Sequence, residues 1–161
     1  MPAILSECGQ YRYALSRDID MLGNQSIAYF GVNPSTADAS NDDSTVKKWI
    51  QFSGLNKASA FTVANAFAYR STDVRQLALV DDPIGPANDF HIDIIINEAD
   101  ILIPCWGSRH KLPERLRSRL DALSARLLAS GKPVYCFGLT SSGDPRHPLM
   151  LPYSTELIRM R

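Results

Sequence analysis

Apolar residues along the chain follow two patterns, compact runs typical of buried strands and helical spacing typical of amphipathic helices. A half-buried strand is predicted from Tyr11 to Arg17, where apolar and polar positions alternate. Apolar runs typical of core parallel strands follow at 25–32, 58–67, 101–107 and 134–138. Helices are predicted at 45–52, with Asp43 or Ser44 as the N-cap, and at 73–80, 86–98 and 113–131.

This alternation of strands and helices predicts an α/β fold, a three-layer sandwich with a central four-stranded, mainly parallel sheet. All 161 residues fit one domain, 1–161. Ligands bind such sheets beyond the carboxyl ends of the strands, and polar residues follow the predicted strands there. These residues are Asn33-Pro34-Ser35-Thr36, Asn65 with Tyr69-Arg70, Trp106-Gly107-Ser108-Arg109, and 143–148 with Arg146 and His147.

Charge is balanced over the whole chain and unbalanced along it. Seventeen basic and seventeen acidic residues give a formal net charge of zero, which excludes a polycation that coats nucleic acid by bulk charge. Residues 1–108 carry 7 basic and 13 acidic side chains, and residues 109–161 carry 10 basic and 4 acidic ones. The basic last third is either a solvated helix face or a phosphate-facing edge.

The sequence lacks the motifs that mark several classes of protein. The three cysteines form no C-x-x-C pair, and neither a secretory leader nor an apolar run of membrane-spanning length is seen, so we expect a cytoplasmic protein without membrane contact. Glycine-rich phosphate loops, zinc-protease spacing and the G-x-S-x-G elbow are also missing. We therefore expect a pocket of amides, hydroxyls, Arg and His, with no metal and no cofactor.

The strand-end side chains have both chemical and structural interpretations. An asparagine amide offers one acceptor and two donors, which suits a nucleobase edge or a water, and a histidine can stabilise an anion. Alternatively, Asn33 ends its strand with a local hydrogen bond, Asn65 bonds to backbone groups of its own loop, and His147 caps a helix or is exposed. Asp42 and Asp43 are either an acid pair, a metal site or solvated loop carboxylates.

The strand-end motifs resemble those of the uracil-DNA glycosylase superfamily. In order and spacing, the matching phrases are 29–35, 61–65, 101–108 and 147–149, the first being similar to the mismatch-specific uracil/thymine branch. The chain is similar, more closely, to the domain-of-unknown-function 1643 family of bacteria and phages. That resemblance rests on the phrases 31–38, 65–70, 84–89 and 145–149.

The resemblance implies a uracil-DNA glycosylase-like fold and a DNA-repair type of hydrolase that cleaves a uracil-like or modified base from DNA or a nucleotide. It implies that Asn33 positions water, Asn65 selects the base and His147 stabilises the leaving base. The remaining base pocket would comprise Gly31, Val32, Pro34, Ser35, Tyr69, Arg70, Trp106 and Gly107. Nucleic-acid contacts would come from Ser108, Arg109, Lys111, Arg146 and Leu149.

Departures from the glycosylase motifs leave alternatives open. Ser35 stands where the branch has a glycine, and Leu149-Met150-Leu151 replaces the serine-rich end of the last motif. One alternative is a non-catalytic DNA- or nucleotide-binding module of the same fold. Another is a hydrolase or transferase of modified nucleotides that uses Asp42 or Asp43. The residues do not identify a protein partner.

Overall fold

A computed structural model of the chain describes residues 2–35 and 40–161. Its strands are β1 (Ala3–Leu5), β2 (Arg12–Asp18), β3 (Gln25–Gly31), β4 (Ala58–Asn65), β5 (Ile101–Pro104), β6 (Tyr135–Cys136) and β7 (Ile158–Arg159). Its α-helices are α1 (Ser44–Leu55), α2 (Asn88–Glu98) and α3 (Ser118–Ala129). Short 3₁₀ turns lie at Val74–Ala78, Arg109–Lys111 and Glu114–Leu116. The α/β class predicted from the patterns is confirmed.

The main sheet has five strands within the described residues, in the order β1-β2-β4-β3-β5. β3 pairs in parallel with β4 and β5, whereas β1 and β2 add antiparallel partners at the β4 edge. The predicted four-stranded sheet is therefore wrong in number. The predicted strand at 134–138 does not join the sheet, since its only pairing with β5 is an isolated bridge between Val134 and Leu102, and β6 pairs with β7 instead.

Helices cover both faces of this sheet, because successive side chains of a strand point to opposite sides. Ile27 and Tyr29 of β3 belong to a buried cluster with Trp49 of α1. Ala28 and Phe30, between them in sequence, belong to a second cluster that contains residues of α2 and α3. The continuous apolar run of β3 is thus buried on both faces, and the three layers follow from it.

Helix α1 begins at the carboxyl edge of the sheet. Asp43 is its N-cap, as one of the two sequence alternatives had it, and its carboxylate accepts a hydrogen bond from the Val46 N–H at 2.9 Å. Trp49 and Phe52 are buried, and the helix continues to Leu55, three residues beyond its predicted end. The other predicted helices are shorter than expected. The segment from 73 to 80 is only a 3₁₀ turn, and α3 begins after a separate 3₁₀ turn.

The crossovers bring three strand ends to one edge. The β3–α1–β4 connection lies on one face and the β4–α2–β5 connection lies on the other, so the connections leave the neighbouring strands β3 and β4 in opposite directions, and α/β sheets bind ligands between such strands. Gly31 pairs with Asn65 and Phe30 pairs with Pro104. Thr36 to Asp38, part of the β3 motif, lie outside the described residues. In the part of the chain that is described, no helix has the length and apolar character needed to cross a membrane.

Candidate functional site

A cavity of 180 Å³ lies at this edge, between the ends of β3 and β4 and the start of α1. Many residues singled out from the sequence line it together, although they come from four separate parts of the chain. They are Gly31, Val32, Asn33, Ser35, Asn65, Lys111 and His147. At about 30 Å³ per water molecule, the cavity has room for about six waters, which is the scale of one small ring and not of a whole nucleotide.

Asn33 presents an acceptor to the cavity. Its Nδ2 donates to the carbonyl oxygens of Pro34 at 3.1 Å and Ser71 at 2.8 Å, which uses both amide protons. Its Oδ1 makes no hydrogen bond within the described residues. The amide therefore has a fixed orientation and can accept a hydrogen bond from a water or a ligand in the cavity.

Asn65 places an unpartnered amide in the same space. The residue ends β4, is only 4% exposed and makes no side-chain hydrogen bond to any described residue. Its Oδ1 lies 2.8 Å from the place that a Cβ on Gly31 would take, so glycine at 31 is what makes room for it. The residue lines the cavity and no described side chain or backbone group already pairs with its amide, so the amide is available to a ligand.

His147 enters the site as a neutral donor. Its Nδ1 accepts a hydrogen bond from the Leu149 N–H at 3.2 Å, so the ring proton resides on Nε2. Burial lowers the pKa of His147 to about 4, and the nearby positive charge of Lys111 adds to the effect while Asp43 opposes it. At neutral pH the imidazole is uncharged and offers one N–H to the cavity that it lines.

Lys111 and His147 meet over Gly107. The Lys111 ammonium contacts the carbonyl oxygen of Trp106. A Cβ on Gly107, which has a φ of 77°, would lie 3.2 Å from both the Lys111 Nζ and the His147 Cβ. Although Lys111 as a residue is exposed, its ammonium end is enclosed by the cavity wall, and this desolvation lowers its pKa. The positive-φ glycine thus permits a cation and an imidazole to share one wall.

The chain matches a protein-family model over most of its length. A family described as "Protein of unknown function (DUF1643)" matches residues 12–149. The chain belongs to the DUF1643 family. No curated protein and no solved structure matches it.

Two acidic residues of this DUF1643 chain have structural partners. Asp43 accepts from Val46 with one oxygen and from the Ser35 hydroxyl with the other, at 2.8 Å. Asp42 forms an ion pair with Arg17 at 2.7 Å. Within residues 2–35 and 40–161, no three His, Cys, Asp or Glu side chains are grouped closely enough to hold a metal ion. The Ser35 hydroxyl thus donates to the carboxylate that caps α1.

Several predicted base-pocket residues lie outside the cavity wall. The carbonyl of Pro34 accepts from Asn33 and from the Ser71 N–H. Tyr69 packs edge-on against Tyr11, and Arg70 donates to the carbonyl of Gly9 at 3.3 Å. Trp106 is buried in the core on the α2 and α3 side, so it supports the wall through its backbone.

Predicted nucleic-acid contacts differ in how much of their charge is already paired. Arg109 binds Asp144 at 3.1 Å and Asp121 at 2.7 Å, and both carboxylates raise its pKa. Ser108 accepts from the His110 N–H and so caps a short turn. Arg146 and Leu149 are exposed, and neither lines the cavity. Lys111 is the one whose charge faces the cavity.

Two residues in contact with the candidate site were not predicted from the sequence. Arg12 lines the cavity from β2 and is only 4% exposed, an unusual place for an arginine between two tyrosines of an alternating strand. Asn88 is fully buried and donates to the carbonyls of Asn65 at 2.9 Å and Ala66 at 3.3 Å. The signal for Asn88 was its phrase at 84–89, for which the glycosylase motifs offered no role.

Proposed function

We propose that this cavity binds a nucleobase and that the protein hydrolyses the N-glycosidic bond of a uracil-like or modified base in DNA or a nucleotide. One observation carries the proposal. The Asn33 Oδ1, the unpartnered amide of buried Asn65 and the Nε2–H of neutral His147 come from three distant segments and line one ring-sized cavity.

Each group has a place in the reaction. The Asn65 amide, with a donor and an acceptor in one plane, matches the donor–acceptor edge of a pyrimidine. As the bond to the sugar breaks, its electron pair moves onto the base, and the Nε2–H of His147 donates to the base oxygen that becomes negative. Water held by the Asn33 Oδ1 adds its oxygen to the sugar carbon and loses a proton. The departing base takes up a proton in place of its bond to the sugar.

Motif order supports a uracil-DNA glycosylase-like version of this fold. The asparagine-proline, asparagine, tryptophan-glycine and histidine-proline phrases all reach the carboxyl edge of one three-layer α/β domain, as such an enzyme would require. An amide cannot take a proton at neutral pH. Asn33 would therefore act by orienting water, and the rate would depend on positioning and electrostatic stabilisation.

The test is a base-release assay on single- and double-stranded oligonucleotides that carry uracil, mismatches or modified pyrimidines, scored as abasic sites. We expect Asn33→Ala and His147→Ala to lower the single-turnover rate by about 100-fold or more. His110→Ala, at an exposed histidine outside the cavity, is the matched control and keeps the rate. Cleavage that survives both cavity substitutions would remove the roles assigned to them.

A binding module without turnover is the second candidate. The observation that favours it is that Asp43, a cavity-lining carboxylate, has both oxygens in hydrogen bonds, so it is not free to activate water. Tight binding of oligonucleotide or nucleotide with no product on any substrate would support it. Metal-dependent turnover lost in Asp42→Ala would instead favour nucleotide hydrolase or transferase chemistry.

A further inference from the structure

We propose that Lys111 is a catalytic cation of this cavity, whose ammonium stabilises the negative charge that the base acquires as its glycosidic bond breaks. This inference rests on the proposed function and adds a residue to it. It also specifies the ligand chemistry, because a cation at this wall favours a base that ionises over one that stays neutral.

The position of the ammonium is the first support. Lys111 lines the cavity beside His147, and the missing side chain of Gly107 is what admits both. Its contact with the Trp106 carbonyl uses one of the three ammonium protons and leaves two for a ligand. The group is therefore held in place and still able to donate.

The second support is that no carboxylate neutralises Lys111. In the part of the chain that the structure describes, Lys111 forms no ion pair, whereas Arg109 two residues earlier binds Asp121 and Asp144. Asp144 and Asp43 act near this wall only at longer range. A partly desolvated charge without a counter-ion is costly, and an anion bound beside it would offset that cost.

The third support is what the other groups lack. Bond cleavage places one negative charge on the base, and neutral His147 offers a dipole but no charge. Asn33 and Asn65 are amides and carry no charge either. Arg12 is a second cation of the cavity and comes from β2, whereas Lys111 is the cation that shares a wall with the His147 imidazole. The two donors on one wall thus suit a developing oxyanion.

A leaving-group comparison separates this role from a structural one. Lys111→Met is assayed in single turnover on matched oligonucleotides with uracil or 5-fluorouracil, whose anion is the more stable. We expect the rate on uracil to fall by about 100-fold and the rate on 5-fluorouracil to fall by only about 10-fold. Lys111→Arg, which keeps a charge, should retain part of the wild-type pattern. Equal losses on both bases in Lys111→Met would overturn the proposal.

Lys132→Met is the matched control. The Lys132 ammonium also donates to backbone carbonyls, those of Asn97 at 3.0 Å and Ala99 at 2.8 Å, but it lies away from the cavity. Loss of a lysine that only ties carbonyls together lowers stability without changing preference for the leaving group. This variant should therefore leave the ratio of the two rates as in the wild type.

A binding measurement keeps the inference independent of turnover. Free 6-azauracil, which ionises near neutral pH, is titrated by calorimetry at pH 5.5 and pH 8, with uracil as the ligand that stays neutral. The anion should bind the wild type about tenfold more tightly than the neutral form, and Lys111→Met should lose this difference. Preference for the anion without any cleavage would refute only the hydrolase, whereas cleavage without that preference would refute only the role of Lys111. If neither cleavage nor a preference for the anion is seen, both the hydrolase and the role of Lys111 are refuted.

Discussion

Asn33→Asp tests whether the amide is oriented as described. The substitution replaces the Nδ2, which donates at 2.8 Å to Ser71 and at 3.1 Å to Pro34, by an oxygen that faces two carbonyl oxygens. The Pro34 carbonyl still accepts from the Ser71 N–H, so the loss of the Asn33 donor at this carbonyl is partly compensated. Two lost hydrogen bonds at about 1 kcal/mol each, and the repulsion of like dipoles, predict about 2–3 kcal/mol of lost stability at pH 8. For a chain of this size, that corresponds to a fall of about 4–12 °C in Tm.

The pH dependence of this loss has a definite sign. The carbonyls raise the pKa of the new carboxyl in the folded state above the unfolded value of about 3.9, because only the protonated acid can donate to them. The deficit is therefore complete above the folded pKa and shrinks as the pH falls through it. Urea unfolding at pH 8 and pH 5 measures the difference from the wild type, and Asn24→Asp at an exposed position is the control. A loss below about 0.5 kcal/mol at pH 8 would refute the assigned orientation, since surface substitutions commonly cost that little.

Two further predictions concern the cavity. Gly31→Ala places a Cβ 2.8 Å from the Asn65 Oδ1, so we expect a large loss of ligand binding with a smaller loss of stability, seen by titration and urea unfolding of one preparation. Gly54→Ala, at an exposed position of α1, is its control and should gain about 0.5–1 kcal/mol of stability. Equal effects of the two substitutions would contradict the steric argument. The pKa of His147 is about 4 in the folded state, against 6.5 in the unfolded state. Lowering the pH from 6.5 to 4 therefore reduces the free energy of unfolding by up to about 3 kcal/mol. His147→Gln should remove that slope, and above pH 6.5 its difference in stability from the wild type should not vary with pH; a slope unchanged by the substitution would contradict the burial of the ring.

The sequence was most informative where local rules decide the structure. The apolar run ending at Asn33-Pro34 predicted a buried strand and its end, and Asp43 was one of the two predicted caps of α1. Parallel topology alone then placed Asn65 near Asn33, which the pairing of Gly31 with Asn65 confirms. The three-residue β1 was missed because so short an edge strand has no periodicity to detect.

Side-chain partners were not predictable, because they depend on contacts between distant segments. Arg109 was expected at a phosphate, and only the fold shows that Asp144, 35 positions away, holds it. Lys111 stood in the same basic cluster, and the fold turns its ammonium to the cavity wall. A charge pattern indicates where charges occur but not which of them are paired.

The cavity is built from both ends of the recognised domain. The DUF1643 match starts at Arg12, which lines the cavity, and stops two residues beyond His147, which lines it too. Closing this site therefore requires contacts of very high sequence separation, which form late because of their loop-closure entropy. During synthesis, a nascent chain that ends before residue 109 has neither Lys111 nor the imidazole in place. Ligand recognition is thus gained only when the last third of the chain has docked, and any fragment that lacks either end is expected to be without it.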